Sequence, residues 1–107
     1  MRAIIPGGSH HPLFRVYLDR VADFLQSCRG DQGELIPMIF RPFHEHNAGW
    51  FWWGRPHASD QEFQALWRFT VDYLRVQRGL SQLLWAFFSQ RGRDHRRRRV
   101  SVALPRR

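Results

Sequence analysis

The sequence predicts an α/β fold in which helices alternate with the strands of a parallel sheet, in the order helix, strand, helix, strand. Apolar residues recur at helical spacing in residues 12–29 and again in residues 60–78. Two short, continuous apolar runs, residues 35–40 and 83–88, are typical of strands buried on both faces of a parallel sheet. A strand, a helix and a second strand in this order form a right-handed βαβ unit.

The first predicted helix follows a turn-forming segment, residues 6–9, and Pro12 suits its first turn. Gly30 is well placed to end the helix. Cys28 lies on the apolar stripe, so we interpret it as a small core residue, and a single cysteine excludes an internal disulfide and a four-cysteine metal site. The stripe that we expect in the core comprises Phe14, Tyr17, Leu18, Val21, Leu25 and Cys28.

The second predicted helix begins at a capping box, in which Ser59 caps the helix and Glu62 reaches back to Ser59. Gly79 is expected to end this helix. Trp67 is predicted to lie in the core, unlike the tryptophans that precede the helix. The inner stripe of the helix comprises Phe63, Leu66, Trp67, Thr70, Val71 and Leu74.

A segment rich in histidine and aromatic residues lies between the first strand and the second helix. Pro42 ends the strand, so the residues after it lie beyond the carboxyl end of the strand. Glu45 stands there between two histidines, and four aromatic residues at positions 50–53 lead to a glycine. A carboxyl group can protonate a glycosidic oxygen, and flat indole faces can stack on pyranose rings. This composition suits a site that cleaves sugars.

A metal site is another interpretation of the same segment, because His44 and His46 flank Glu45. Zinc needs three or four ligands that converge at suitable spacing. His57 and the distant pair of histidines at residues 10–11 complete no recognisable pattern. We therefore predict that the chain holds no metal.

The motifs in this segment resemble those of one enzyme family. They are RPFHE, residues 41–45, and GWFWWG, residues 49–54. Both resemble the acid/base segment of glycoside hydrolase family 26, the β-mannanases. The flanking helices and the second strand resemble their counterparts in the family, so that the resemblance extends from about residue 6 to residue 87. It implies a partial (β/α)8 TIM barrel, since a complete barrel needs about 250 residues and this chain has 107.

The resemblance also implies roles for individual residues. Glu45 matches the catalytic general acid/base of a retaining reaction that hydrolyses β-1,4-mannosidic bonds in β-mannan or galactomannan, without a metal or organic cofactor. His44 matches a substrate-binding histidine that lines the subsite where the bond breaks. Trp50 matches a tryptophan that stacks against the sugar there.

Other residues of the segment keep two interpretations. Arg41, at the strand end, is a candidate substrate-site residue that orients the carboxylates, or else a member of a structural ion pair. Trp53, like Trp52, either lines the substrate cleft or packs the loop. His46 occupies a variable position of the motif and is predicted to shape the loop.

The second carboxylate of a retaining glycosidase is missing from the sequence. Such enzymes use two carboxyl groups about 5.5 Å apart, one as acid/base and one as nucleophile. The family's nucleophile is a glutamate on a later strand, but no glutamate follows Glu62, and Asp94 is the only later acidic residue. We therefore predict that these 107 residues alone are inactive.

The positive charge is concentrated at the carboxyl end. Residues 1–90, the predicted partial barrel, contain nine arginines and eight acidic residues, whereas residues 91–107 contain eight arginines and one aspartate. We expect this tail to be disordered. An alternative function follows from it, namely nonspecific binding of nucleic acid or another polyanion through phosphate neutralisation. No specific nucleic-acid partner is predicted, because most such runs are solvated tails.

Few features of the sequence bear on the cellular compartment or the oligomeric state. No apolar run approaches the about 20 residues of a membrane span, and the amino-terminal segment does not resemble a signal peptide. The family is typically secreted or periplasmic, and any export signal is expected upstream of Met1. The oligomeric state stays open. A parallel pair of strands with both edges unpaired is expected to be poorly stable or to aggregate.

Overall fold

The computed structural model describes residues 1–47, 49–89 and, for the backbone alone, 99–103. The elements are α1 (His11–Ser27), β1 (Met38–Phe40), α2 (Asp60–Asp72) with a π-helical turn (Tyr73–Gln77), β2 (Leu83–Ser89) and β3 (Arg99–Ala103). The predicted order of helix, strand, helix and strand is confirmed, and a third strand follows it.

The three strands form one sheet in the order β1-β2-β3. β1 and β2 are parallel, with Ile39 opposite Leu84 and Phe40 opposite Trp85, and α2 connects them. The carboxyl ends of both strands therefore lie at the same end of the sheet, where the segment after β1 begins.

The third strand corrects the expectation that the whole carboxyl-terminal tail is disordered. Arg99–Ala103 pairs antiparallel with β2, with Ser101 opposite Phe87, so these five residues of the tail are ordered in the sheet. β2 consequently has a neighbour on each side, and the two edges of the sheet among the described strands are those of β1 and β3. Valine alternates with smaller or polar residues in this segment, a pattern that suits a strand, and β2 offers it unpaired backbone groups. The predicted boundary at residue 90 and the rest of the tail, residues 91–98 and 104–107, lie outside the described residues.

The core lies on the face of the sheet that the two helices cover. It consists of Leu18, Ala22, Leu25, Tyr73, Leu74, Leu80, Leu83 and Trp85, with Trp67 packed against its side. The predicted α1 stripe was wrong at two positions. Tyr17 is 56% exposed, because it lies about 90° around the helix from the line of Leu18 and Leu25. Cys28 is half-buried, because it follows the helix as its C-cap in an extended conformation.

The helix ends follow the predicted signals in three of four places. Pro12 lies in the first turn of α1. Ser59 and Glu62 form the capping box, with hydrogen bonds of 3.1 and 3.2 Å. Gly79 follows the end of the π-helical turn with a φ of +67°, a conformation that suits glycine. Gly30 does not end α1, which stops at Ser27, and its N–H instead donates to the Glu34 carbonyl at 2.8 Å.

The opposite face of the sheet is exposed at one end, whereas Ala86 and Phe88, further along β2 on the same face, are buried. Ile39 is 70% exposed and its partner Leu84 is 38% exposed. The prediction that β1 is buried on both faces is therefore wrong for the described part of the chain. β1 is a short strand at the sheet edge, and no described helix covers the Ile39 side.

Candidate active site

The turn that leaves β1 places Glu45 at the carboxyl ends of both parallel strands. The Glu45 N–H donates to the carbonyl of Phe88, near the end of β2, at 2.9 Å. Phe43 and Glu45 adopt positive φ values of 53° and 54°. Left-handed backbone is uncommon for side chains of this kind and costs of order 1–3 kcal/mol, and it concentrates at functional sites. The contact with β2 holds this strained turn in place.

A hydrogen bond fixes one oxygen of the Glu45 carboxylate. The indole Nε1–H of Trp50 donates to Glu45 Oε2 at 3.0 Å. Trp50 is 63% exposed, so most of its ring is open to solvent while its nitrogen holds the carboxylate. The two residues that the sequence singled out for acid chemistry and for sugar stacking are thus in direct contact.

The remaining aromatic residues of the loop pack on one another. Phe51 and Trp53 are stacked, with ring centroids 4.4 Å apart and planes inclined by 9°. His44 lies edge-on to Phe51 at 4.7 Å, and its carbonyl accepts a hydrogen bond from Trp53 Nε1 at 2.8 Å. Trp53 is half-buried in this cluster, whereas Trp52 is half exposed. The loop therefore has an aromatic interior and two open indoles, Trp50 and Trp52.

Arg41 lies on the open face of the sheet, beside the turn. Its guanidinium carbon is 5.4 Å from the centre of the Phe88 ring, which is a cation–π distance. No salt bridge of Arg41 occurs within the described ranges.

The sequence profile of glycosyl hydrolase family 26 matches residues 4–99. The chain belongs to this family. The resemblance inferred from residues 41–54 is therefore confirmed, and the strained turn with its glutamate lies inside the matched range. Among the relatives of known function, the mannan endo-1,4-β-mannosidase of Bifidobacterium adolescentis is 45% identical over 84 residues, and that of Bacillus subtilis strain 168 is 34% identical over 83 residues.

Solved structures of the family share this fold. The catalytic domain of the Bacillus sp. JAMB-750 GH26 endo-β-1,4-mannanase superposes with a TM-score of 0.83 at 48% identity, over 87% of this chain. A modular endo-β-1,4-mannanase from Cellulomonas fimi superposes with a TM-score of 0.78 at 50% identity, over 80% of this chain. The fold of this chain is thus part of the fold of family 26 barrels.

The chain spans a small part of these relatives. The match to the Bifidobacterium protein includes 78% of this chain but only 8% of that protein. The match to the Bacillus subtilis protein includes 72% of this chain and 22% of that protein. The corresponding share is 24% of the Bacillus sp. structure and 19% of the Cellulomonas fimi structure. None of these names supports the alternative of polyanion binding.

The sequence interpretation missed the contribution of β2 to the candidate site. Phe88 supplies the carbonyl that holds Glu45 and the ring under Arg41. Phe63 and Phe87 pack against His46. The parallel order of the two strands could have predicted this contribution, because the carboxyl ends of adjacent parallel strands lie at the same end of the sheet.

No three His, Cys, Asp or Glu side chains in residues 1–47 and 49–89 come together as metal ligands. Neither described helix has the length and apolar character needed to cross a membrane.

Proposed function

We propose that this chain carries the acid/base part of a retaining β-mannanase site, with Glu45 as the catalytic group. The observation that carries the proposal is the position of Glu45, which a backbone hydrogen bond holds at the carboxyl ends of two parallel strands while an indole fixes its carboxylate. In β/α barrels this end carries the active site. The names of the family 26 relatives support β-1,4-mannan as the substrate class.

The proposed reaction uses Glu45 twice. As an acid, Glu45 gives its proton to the glycosidic oxygen while a second carboxylate attacks the anomeric carbon. As a base, the Glu45 carboxylate then takes a proton from the water that hydrolyses the glycosyl-enzyme. The second carboxylate would have to come from outside the 107 residues, which contain no glutamate after Glu62. The isolated chain is therefore proposed to be inactive.

The surrounding side chains are proposed to hold the sugar. Trp50 combines a hydrogen bond to Glu45 with an open ring face, so a sugar stacked on that face would lie next to the acid. His44 lies next to Glu45 in the chain and at the edge of the aromatic cluster, and we propose that it contacts the same sugar. Arg41 and Trp53 complete the proposed site: Arg41 by its positive charge beside the turn, and Trp53 by packing the loop that presents Trp50.

A chimeric barrel tests the role of Glu45 directly. Residues 6–87 would replace the aligned segment in the catalytic domain of the Bacillus sp. JAMB-750 mannanase, whose fold they share. We expect the chimera to hydrolyse mannan and Glu45→Gln to lower kcat/KM by about 10²–10⁴-fold, the usual contribution of a general acid/base. Glu34→Gln is the matched control, because Glu34 is an exposed loop residue away from the site.

Azide distinguishes an acid/base from a residue with another role. In Glu45→Ala, azide should restore turnover of an aryl mannoside with a good leaving group. Such a leaving group needs little protonation, and azide attacks the glycosyl-enzyme without a base. The product is expected to be the β-mannosyl azide. Unchanged activity in Glu45→Gln, in a chimera that hydrolyses mannan, would reject the proposed role.

A further inference from the structure

His46 has a set of contacts that the proposed chemistry does not use. Its ring is stacked on Phe63, in the first turn of α2, with centroids 4.5 Å apart and planes inclined by 21°. The ring also contacts Phe87 of β2 at a centroid distance of 4.9 Å. The side chain therefore points away from Glu45, into the space between the helix and the strand.

Glu45 and His46 together attach the turn to two adjacent residues of β2. The Glu45 N–H donates to the Phe88 carbonyl, and the His46 ring packs on the Phe87 ring. The hydrogen bond fixes the main chain at Glu45, and the ring contact fixes the side chain of the next residue. Two attachments on neighbouring residues fix the orientation of the turn, and with it the direction of the Glu45 side chain.

The far end of the loop is attached at the same point. The N–H of Arg55 donates to the His46 carbonyl at 2.7 Å, and the Arg55 side chain forms two hydrogen bonds, of 2.8 and 2.6 Å, to Asp60 at the start of α2. His46 thus joins the start of the aromatic loop, its end, α2 and β2. Trp50, the partner of Glu45, lies within the loop that this junction closes.

The aromatic ring of His46 makes these contacts, and Nδ1 takes no part in them. Nδ1 is buried and has no hydrogen-bond partner among the described residues. Burial, followed by the nearby charge of Arg55, lowers the pKa of His46, and the charge of Asp60 opposes this effect, so the neutral ring is favoured. A cavity of about 350 Å³ borders the ring, so packing on that side does not hold it in place. The contacts with Phe63 and Phe87 are what fix it.

We infer that His46 is a positioning residue, whose ring anchors the turn that aims Glu45 at the substrate. The inference rests on the proposed function of Glu45, although the contacts that it describes exist without any sugar. It requires an aromatic ring at this position and does not require a hydrogen-bonding group there.

The indole signals of the chain provide the test. In an NMR spectrum of the ¹⁵N-labelled protein, the Trp50 Nε1–H reports on the hydrogen bond to Glu45, and the buried Trp85 reports on the core. Glu45→Ala removes the acceptor and gives the reference signal for a free Trp50. His10→Ala is the matched control, because His10 is an exposed histidine in the amino-terminal segment.

We expect His46→Ala to move the Trp50 signal towards the Glu45→Ala reference and to speed its exchange with water by about tenfold, the loss expected for one hydrogen bond. The Trp85 signal should stay in place. His46→Phe should leave both signals as in the parent chain, because phenylalanine keeps the stacking on Phe63 and Phe87. His10→Ala should change neither.

Three results would overturn the inference. In the first, the Trp50 signal does not respond to His46→Ala. In the second, the Trp50 signal of the parent chain already matches the Glu45→Ala reference. In the third, His46→Phe moves the Trp50 signal away from its position in the parent chain. If His46→Ala unfolds the chain, the His46→Phe result decides. A failure of the proposed function is distinguishable, because it would appear as a chimera whose activity is independent of Glu45 while the indole signals still respond to His46→Ala.

Discussion

Leu83 and Leu84 are neighbours on β2, yet they belong to two different halves of the molecule. Leu83 is 1% exposed and lies in the core under α1 and α2. Leu84 is 38% exposed and lies opposite Ile39 on the open face of the sheet. Two adjacent leucines thus differ in burial: Leu83 is fully packed on one side of the sheet, and Leu84 is partly solvated on the other.

The contrast shows which part of a barrel these residues complete by themselves. The helix-covered half is complete within these residues, because the two amphipathic helices and the sheet together enclose a core. The open half contains the turn with Glu45 and a sheet face that, in a closed barrel, lines the packed interior. This chain covers 24% of the Bacillus sp. structure, so most of what covers that face there lies outside the aligned segment.

The largest effect that tests this contrast is truncation of the two leucines. Leu83→Ala should cost about 2–5 kcal/mol of the free energy of unfolding, the range for a buried leucine. Leu84→Ala should cost less than half as much, because its side chain is already partly exposed. Urea unfolding followed by circular dichroism gives both values. Equal losses would contradict the division of the sheet into a closed and an open half.

The same two variants, Leu83→Ala and Leu84→Ala, can be compared in a complete barrel. In the chimera with the Bacillus sp. catalytic domain, the Leu84 face should be covered by the rest of the barrel. Leu84→Ala is then expected to cost nearly as much as Leu83→Ala. If the difference between the two variants persists in the chimera, the open face is a property of the segment and not of its missing surroundings.

The closed half is also the half that local sequence patterns predicted well. Spacing identified Leu18, Leu25 and Leu74 as core residues, and the capping box of Ser59 was found from its motif alone. These features depend on residues within one or two turns of one another. Tyr17 and Gly30 were placed wrongly because their surroundings depend on the exact edge and end of α1.

The open half was predicted by family resemblance more than by pattern. The motif pointed to Glu45 and Trp50, but the anchor of the turn on Phe88 depends on the pairing of two strands. β3 was missed because the arginine-rich composition of residues 91–107 was interpreted as a tail, although two valines alternate in residues 99–103 as in a strand. Contacts between residues distant in the sequence are the part that patterns could not supply.

A smaller effect is expected at the boundary between the halves, where α2 begins after the aromatic loop. Ser59→Ala removes the cap that accepts the Glu62 N–H at 3.1 Å and should cost about 1 kcal/mol. Ser81→Ala is the matched control, because Ser81 is an exposed turn residue outside both helices. If Ser59→Ala also moves the Trp50 indole signal, the start of α2 positions the loop as well as stabilising the helix, and the two halves are coupled there.

The smallest effect is expected from the polar cluster that joins α1 to the end of α2. The Tyr73 hydroxyl donates to Asp19 and Arg78 pairs with it, and these contacts, the tyrosine hydrogen bond first, lower the pKa of Asp19 below its ordinary value of 3.8. An aspartate with a lowered pKa contributes stability above pH 3.8, and this contribution is lost as the pH falls from 3.8 through the folded-state pKa. Asp19 is partly solvated, so the contribution is small.

Urea unfolding of the parent chain and of Asp19→Asn, at neutral pH and again well below pH 3.8, measures this contribution. Asp19→Asn should be the less stable of the two at neutral pH, and the difference should shrink in acid because the parent carboxyl group is then protonated as well. Asp31→Asn is the matched control, because Asp31 is exposed in the turn after α1 and is outside the cluster. A difference that stays constant with pH would mean that Asp19 joins the helices through packing and not through its charge.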